Sequence, residues 1–244
     1  MRNHRIYTET PLAVATTVVL PAAASHHLLR VLRCRDHEPV TLFNGHGGSY
    51  RGRLVSASAH PAKVEILEFE PEPAPPALLI TLGLGISRSV HMDYAVQKSV
   101  ELGVHALAPL HTQRSNVKLD RQRRQTRMEH WQKTIIHACE QCGRNTLPAL
   151  SAPLDLQDWV AADRDAARFI FVPTAGQALS QIAAINGREV RVLVGPEGGF
   201  TDKEQETAVT HGFVPITLGP RTLRTETATV AALAALQVLW GDLG

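Results

Sequence analysis

The octapeptide EPEPAPPA, residues 70–77, divides the sequence into two parts built on different patterns. Its four prolines favour extended backbone and remove hydrogen-bond donors, so residues 71–77 read as a stiff linker. Upstream, the short β-branched segments VATTVVL, PVTLFNG, SYRGRLVSAS and AKVEILEFE are separated by glycine, proline and histidine–glycine turns. One helical stretch, SHHLLRVLRC, interrupts them, with Ser25 in the N-cap position. Residues 1–70 are therefore expected to form a small β-barrel. Downstream, the pattern alternates. Apolar strands are expected at residues 78–84, 106–110, 169–172, 190–194 and 215–218. Between them lie the helical stretches MDYAVQKSVELG, RRQTRMEHWQKTIIHACEQCG and TDKEQETAVTHG, and an alanine-rich helix, ETATVAALAALQVLW, closes the chain. Residues 78–244 thus read as an α/β domain, a mainly parallel sheet with helices on both faces.

Composition narrows the class without naming a partner. The 244 residues are 44% hydrophobic and 20% charged, with a formal net charge of +2. That charge is too small to imply an anionic partner by itself. No apolar run approaches the roughly 20 residues of a membrane span. The opening MRNHRIYTET has basic residues but no apolar core behind them, so no secretion signal is expected. Three cysteines then read as thiols of a reducing, cytoplasmic compartment.

Ligands of parallel sheets bind where strands end and turns lead into helices. The stretch LVGPEGGFTDKE, residues 193–204, is such a place: an apolar run, a glycine-rich turn, then Thr201 and Glu204 at capping-box spacing. The free N–H groups of that helix start suit a ligand. No Gly-Lys-Ser/Thr follows, so it is not a Walker loop, and Glu197 in the turn would repel a phosphate. GLGISR, residues 83–88, resembles the opening of a dinucleotide fingerprint but lacks its third glycine. A carboxylate among bare backbone better suits a ligand carrying hydroxyls, an amine or a cationic centre. The plain structural alternative is a turn with Glu197 in solvent. A second such loop, LGPRTLRTETA, residues 218–228, places Arg221 and Arg224 before a helix that Thr225 would cap. A helix N-terminus is already positive, so two arginines there are unfavourable unless they serve an anion or a partner. A third strand end, FIFVPTAG, supplies Pro173 and Thr174.

VGPEGGFTDKE followed by LGPRTLRTETA, with QKSVELGV and HACEQCGRNTLP upstream and HHLLRVLR and LFNGHGG in the first part, closely resembles the small-subunit ribosomal RNA methyltransferase E family. These enzymes belong to the SPOUT superfamily. The resemblance implies a PUA-like N-terminal barrel, a C-terminal α/β domain with a trefoil knot, and a homodimer. It also implies methylation at N3 of a uridine in 16S rRNA of the 30S subunit, with S-adenosylmethionine as donor. On the same resemblance, Gly195, Glu197, Gly198, Gly199, Leu218, Gly219 and Leu223 line the cofactor pocket, with Pro173 and Thr174 across it. Two other readings compete: a non-catalytic RNA-binding or ribosome-assembly module, and a SPOUT methyltransferase of another RNA target.

N3 of uracil becomes nucleophilic on losing its proton, and the resulting charge spreads over O2 and O4. Arg224 or Arg221 would supply donors to those oxygens. Glu226 is a candidate base, with helix capping as its plain alternative; bulk water is the other acceptor. For RNA, residues 110–150 hold Arg114, Lys118, Arg121, Arg123, Arg124, Arg127, Lys133 and Arg144 against Asp120, Glu129 and Glu140. Arg30, Arg33, Arg35, Arg51 and Arg53 in the first part, and Arg88 after GLGIS, add basic candidates for phosphate contact. A solvated face is the usual alternative for such runs. Cys139 and Cys142 form a CxxC without a second pair, and the histidines show no ligand spacing, so no metal is expected.

Overall fold

The computed structural model describes residues 4–58, 60–72, 75–115, 121–162, 166–174, 176–182 and 184–244, and only the backbone of Arg121. Pro73 and Ala74 of the linker, and Lys118 and Asp120 of the basic segment, lie outside the described residues. Two compact units emerge: Met1–Pro75 with Ile136–Leu147, and Pro76–Ile135 with Pro148–Gly244.

In the first unit, β1 (His4–Tyr7), β2 (Thr17–Val19), β3 (Pro39–Phe43), β4 (Ser49–Leu54) and β5 (Lys63–Glu70) form one sheet in the order β1-β3-β4-β5-β2. Only the β1–β3 pair is parallel. Strand β1 was not expected from the sequence, because HRIYTE lacks alternation. Its Ile6 nonetheless joins Val18, Val40, Leu42, Leu54, Val64 and Ile66 in a single buried cluster, so the sheet curls around one core. The helix α1 (Ala22–His26) starts right after Pro21 and continues as one π-helical turn, His27–Val31. Ser25 is therefore not its N-cap. It is buried inside the helix, where its hydroxyl donates to the Leu20 carbonyl (3.0 Å) and accepts from the Ala62 amide (3.0 Å).

The second unit carries an eight-stranded sheet. Its members are β6 (Leu79–Gly85), β7 (Ala106–His111), β8 (Ala149–Leu150), β9 (Leu154–Asp155), β10 (Ala167–Phe171), β11 (Gln177–Ala178), β12 (Glu189–Val194) and β13 (Val214–Thr217). They run in the order β11-β13-β10-β12-β6-β7-β8, with β9 on β7. Every recorded pair is parallel. The five apolar runs read from the sequence are five of these strands. Their continuous burial, five residues in a row in β12, is what a parallel strand covered on both faces requires.

The helices α2 (Ser89–Glu101), α3 (Arg121–Cys142), α4 (Leu156–Ala161), α5 (Asp202–Thr210) and α6 (Thr225–Trp240) complete the chain. Met92, Ala95, Val96, Ser99 and Val100 give α2 a buried stripe at helical spacing. It packs on α6, and the pair is pinned at both ends. His91 Nδ1 meets Glu226 Oε1 at 3.0 Å near the two N-termini, and the Gln237 amide donates to the Leu102 carbonyl (3.0 Å) near the C-termini. The two helices therefore run parallel. Thr225 is the first helical residue of α6 and is buried; Arg224 holds the N-cap position, with no side-chain cap. Two buried arginines, Arg168 and Arg191, lie side by side on β10 and β12. They spend their donors on the carbonyls of Val160, Ala162, His211 and Trp159, which end helices α4 and α5.

Candidate functional site

The carboxyl ends of β13, β10 and β12, three adjacent strands, open into one cavity of about 340 Å³. This lies in the range of small-molecule sites. The turn after β12 supplies Gly195 to Phe200, the loop after β13 supplies Leu218, Gly219, Arg221, Thr222 and Leu223, and the end of β10 supplies Phe171 to Thr174. All nine residues that the family resemblance assigned to the cofactor line this space: Pro173, Thr174, Gly195, Glu197, Gly198, Gly199, Leu218, Gly219 and Leu223. Its walls also include Asp202 and Gln205 of α5, Thr225 and Ala228 of α6, and Arg114. Asp202 and Gln205, like Thr225 and Ala228, stand at i and i+3 and so share a helix face, whereas Arg114 had no local signal.

The glycine turn is tightly held. Thr201 caps α5 as its spacing predicts: its hydroxyl accepts from the Glu204 amide, and Glu204 Oε2 accepts from the Thr201 amide at 2.8 Å. Glu204 is 5% exposed, and its other oxygen accepts the Gln113 amide at 2.8 Å, tying in the segment after β7. Arg114 Nη1 donates to the carbonyls of Gly198 (3.2 Å) and Phe200 (3.1 Å). Glu197 is exposed, but it does not simply face solvent: its Oε1 accepts the Arg88 amide at 2.9 Å, at the start of α2. Gly199 adopts φ +66°, which disfavours any side chain there. A Cβ on Gly198 would lie 2.9 Å from Arg114 Cβ. The glycines of GLGISR have a packing role. A Cβ on Gly83 would lie 2.7 Å from the Trp159 ring, and one on Gly85 would meet Pro196.

The three residues expected to carry chemistry divide. Arg221 lines the cavity, whereas Arg224 and Glu226 do not. Both arginines are exposed, and neither side chain makes a hydrogen bond or ion pair among the described residues. Glu226 is engaged by His91 through Oε1, while its Oε2 is buried and has no partner among the described residues. The cavity thus combines apolar walls, bare glycine backbone, two carboxylates (Glu197, Asp202) and two guanidiniums (Arg114, Arg221). That set suits a molecule with a flat apolar part, hydroxyls and charges of both signs, and it fits the zwitterionic, sulfonium-bearing S-adenosylmethionine.

The RNA candidates belong to several elements of both units. Arg30, Arg33 and Arg88 are exposed, and Arg33 holds φ +55°, a conformation uncommon outside glycine. Arg51 pairs with Glu70, and Arg53 with Glu65 at 2.7 Å, so glutamates on β5 offset these two strand arginines. Arg127 donates to the Ser89 hydroxyl. Arg144 accepts at its carbonyl from Arg5, whose guanidinium also donates to Asn145 Oδ1. With Glu140 accepting the Tyr7 amide at 3.0 Å, these bonds give CEQCGRN a docking role against β1.

Among the described residues, His4, Cys34 and Glu38 place potential metal-ligand atoms within 4.8 Å of one another. Glu38 already accepts the Arg35 amide at 2.8 Å, and Cys34 belongs to the core of the first unit. Burial pushes the Cys34 and Cys139 thiols up to about 12, whereas Cys142 is exposed. Because the thiolate is the reacting form, one cysteine per chain is expected to titrate with a chromogenic disulfide at pH 8 in the native state, and all three after denaturation. Fast native labelling of a second thiol would contradict the burial of Cys34 or Cys139.

Comparison with known proteins gives a consistent result. A family model described as an RNA methyltransferase domain matches residues 74–237, and one described as an RNA methyltransferase PUA domain matches residues 20–67. A Buchnera aphidicola (subsp. Schizaphis graminum) protein named ribosomal RNA small subunit methyltransferase E is 34% identical, over 99% of this chain and 98% of its own length. The Neisseria gonorrhoeae protein of that name, solved bound to S-adenosylmethionine, is 39% identical over the full length of both chains, with a TM-score of 0.92. A Legionella pneumophila chain described as a methyltransferase, solved with the bound cofactor, is 36% identical over both full lengths, with a TM-score of 0.95.

Proposed function

The chain belongs to the ribosomal RNA small subunit methyltransferase E family, and we propose that it methylates N3 of one uridine in 16S rRNA of the 30S subunit. It is an S-adenosylmethionine-dependent rRNA methyltransferase with a PUA-like first unit and a SPOUT α/β second unit. The observation that carries the reading is the convergence of three neighbouring strand ends on one glycine-lined cavity beside two uncommitted arginines.

S-adenosylmethionine, when bound, supplies an electrophilic methyl group on a sulfonium. The residues that would hold it are Pro173, Thr174, the Gly195–Gly199 turn, Leu218, Gly219 and Leu223, where absent side chains let backbone amides and carbonyls approach closely. Arg224 and Arg221 donate to O2 and O4 of the uracil, holding the charge that appears when N3 loses its proton. Glu226, two residues from Arg224, or bulk water is the proton acceptor; His91 engages Oε1 of Glu226, and its Oε2 is buried without a partner among the described residues. The direct test is methyl transfer to 30S subunits purified from a strain lacking the gene, followed by mass mapping of 16S rRNA. One new N3-methyluridine is expected. Cofactor binding without any methylated nucleotide would favour the ribosome-assembly reading, and a modified tRNA would favour another SPOUT target.

The rest of the reading concerns partners. Arg30, Arg33, Arg51, Arg88 and Arg144 are assigned to RNA phosphates, with the basic start of α3. Affinity for 16S rRNA is therefore expected to fall about tenfold or more between 50 and 200 mM salt; a flat response would remove the phosphate surface. The homodimer is supported by exposed apolar side chains on the packed pair of helices: Val90 and Tyr94 on α2, Val238 and Leu239 on α6. Sedimentation at twice the chain mass is the check. Among the described residues no helix is long and apolar enough to cross a membrane, and a ribosomal substrate supports a cytoplasmic location. The trefoil knot remains part of this reading through family membership.

A further inference from the structure

We infer that Arg114 is a positioning residue for the methyl donor, acting through the glycine turn, and not an RNA-phosphate contact; this rests on the function proposed above. The sequence grouped Arg114 with the basic residues leading into α3. Its side chain instead turns toward the cavity, whose wall it forms. A single nitrogen, Nη1, donates to two carbonyls on either side of Gly199, those of Gly198 and Phe200. The stem is equally committed, since the space where Gly198 would carry a Cβ is filled by Arg114 Cβ at 2.9 Å and its carbonyl at 3.2 Å.

A second bond strengthens the grip from the adjacent residue. The Gln113 amide donates to Glu204, the buried carboxylate whose other oxygen holds Thr201 at the end of the same turn. The turn from 195 to 201 is thus gripped at Gly198, Phe200 and Thr201 by the 113–114 segment and Glu204. The physical need is plain. Gly199 adopts φ +66° and Gly198 leaves the space that Arg114 fills, but glycine backbone is also the most free to move. Without a brace, ordering the turn would be charged against donor binding. Guanidinium-to-carbonyl bonds supply that brace from the cavity wall, and they draw on carbonyls of the turn rather than on its amides.

Substitutions at 114 separate stem from donor. Arg114→Met keeps the apolar stem and loses the donors; Arg114→Lys keeps the stem and one cationic nitrogen, which is all the two bonds use. Binding of S-adenosylhomocysteine by calorimetry, methyl-transfer kinetics and rRNA affinity against salt are measured on the dimeric full chain, with thermal unfolding as the folding control. The expected result is a Kd about tenfold weaker for Arg114→Met, largely restored by Arg114→Lys. The donor KM should rise with it, kcat at saturating donor should change little, and the salt slope of rRNA binding should stay at the wild-type value. Wild-type donor affinity in Arg114→Met overturns the inference, as does a salt slope reduced by about one, the mark of a lost phosphate contact. If the wild-type chain itself binds no S-adenosylhomocysteine, the proposed function falls together with the brace; if only the Met variant equals wild type, the brace alone falls.

Discussion

Arg224→Ala is expected to lower the rate of methyl transfer by about 10²–10³-fold, the usual effect of removing one donor from a developing anion. Three observations set this magnitude. Arg224 occupies the N-cap position of α6, where the helix dipole opposes a cation, so the residue is not there for stability. It is exposed and its side chain makes no hydrogen bond or ion pair among the described residues, so its donors are available to a substrate. It also does not line the glycine-lined cavity proposed for the donor, whereas Arg221 does. Donor affinity in Arg224→Ala should therefore stay within about twofold of wild type, because the lost interaction belongs to the transition state alone. Single-turnover transfer of a labelled methyl group to 30S subunits, with calorimetry of donor binding alongside, measures both. Unchanged turnover would take Arg224 out of the mechanism and leave the oxyanion role to Arg221.

Gly85→Ala should produce the second large effect: a loss of donor affinity of about tenfold or more, with about 1–3 kcal/mol of lost stability from overpacking. A Cβ at Gly85 would lie 2.4 Å from Pro196 Cδ and 2.6 Å from Pro196 N. Neither side can yield easily. Strand β6 is held between β12 and β7, with Leu84 in register with Val194 and Gly85 with Leu110. Pro196 is the second residue of the turn that lines the cavity, so relief of the clash displaces that turn. Thermal unfolding and calorimetry on the same preparation test it. A variant that melts lower yet binds donor normally would show that the position of the turn does not depend on this contact.

Local chemistry made much of the second unit legible. Apolar runs such as EVRVLV announce parallel strands because both faces are buried, and T-D-K-E announces a helix start because its two hydrogen bonds close within four residues. The glycine turn and the LRTET loop could be read as ligand-facing because each follows a strand and precedes a helix. Other features could not be read this way. Strand β1 owes its existence to pairing with β3 across some thirty intervening residues, a contact its own sequence does not encode. Ser25 resembles a cap, but the amide of Ala62, distant in sequence, draws its hydroxyl inside. Residues 136–147 belong with the first unit because Tyr7 and Arg5 bond to Glu140 and Asn145, a match made only once the chain has folded back.

The sequence by itself located the turns that face the cavity, since bare backbone at strand ends is a property of residue type and local order. The individual lining residues came from the family resemblance and, for Arg114, Asp202 and Gln205, from the structure. Tertiary structure alone decided what the charged groups do there: Glu197 turned to the start of α2, Glu226 to His91 and Arg114 to the glycine turn. The physical reason is reach. Backbone conformation is set within a few residues, whereas a long charged side chain bonds to whatever the fold brings within about 3 Å, and no local pattern records which partner that is.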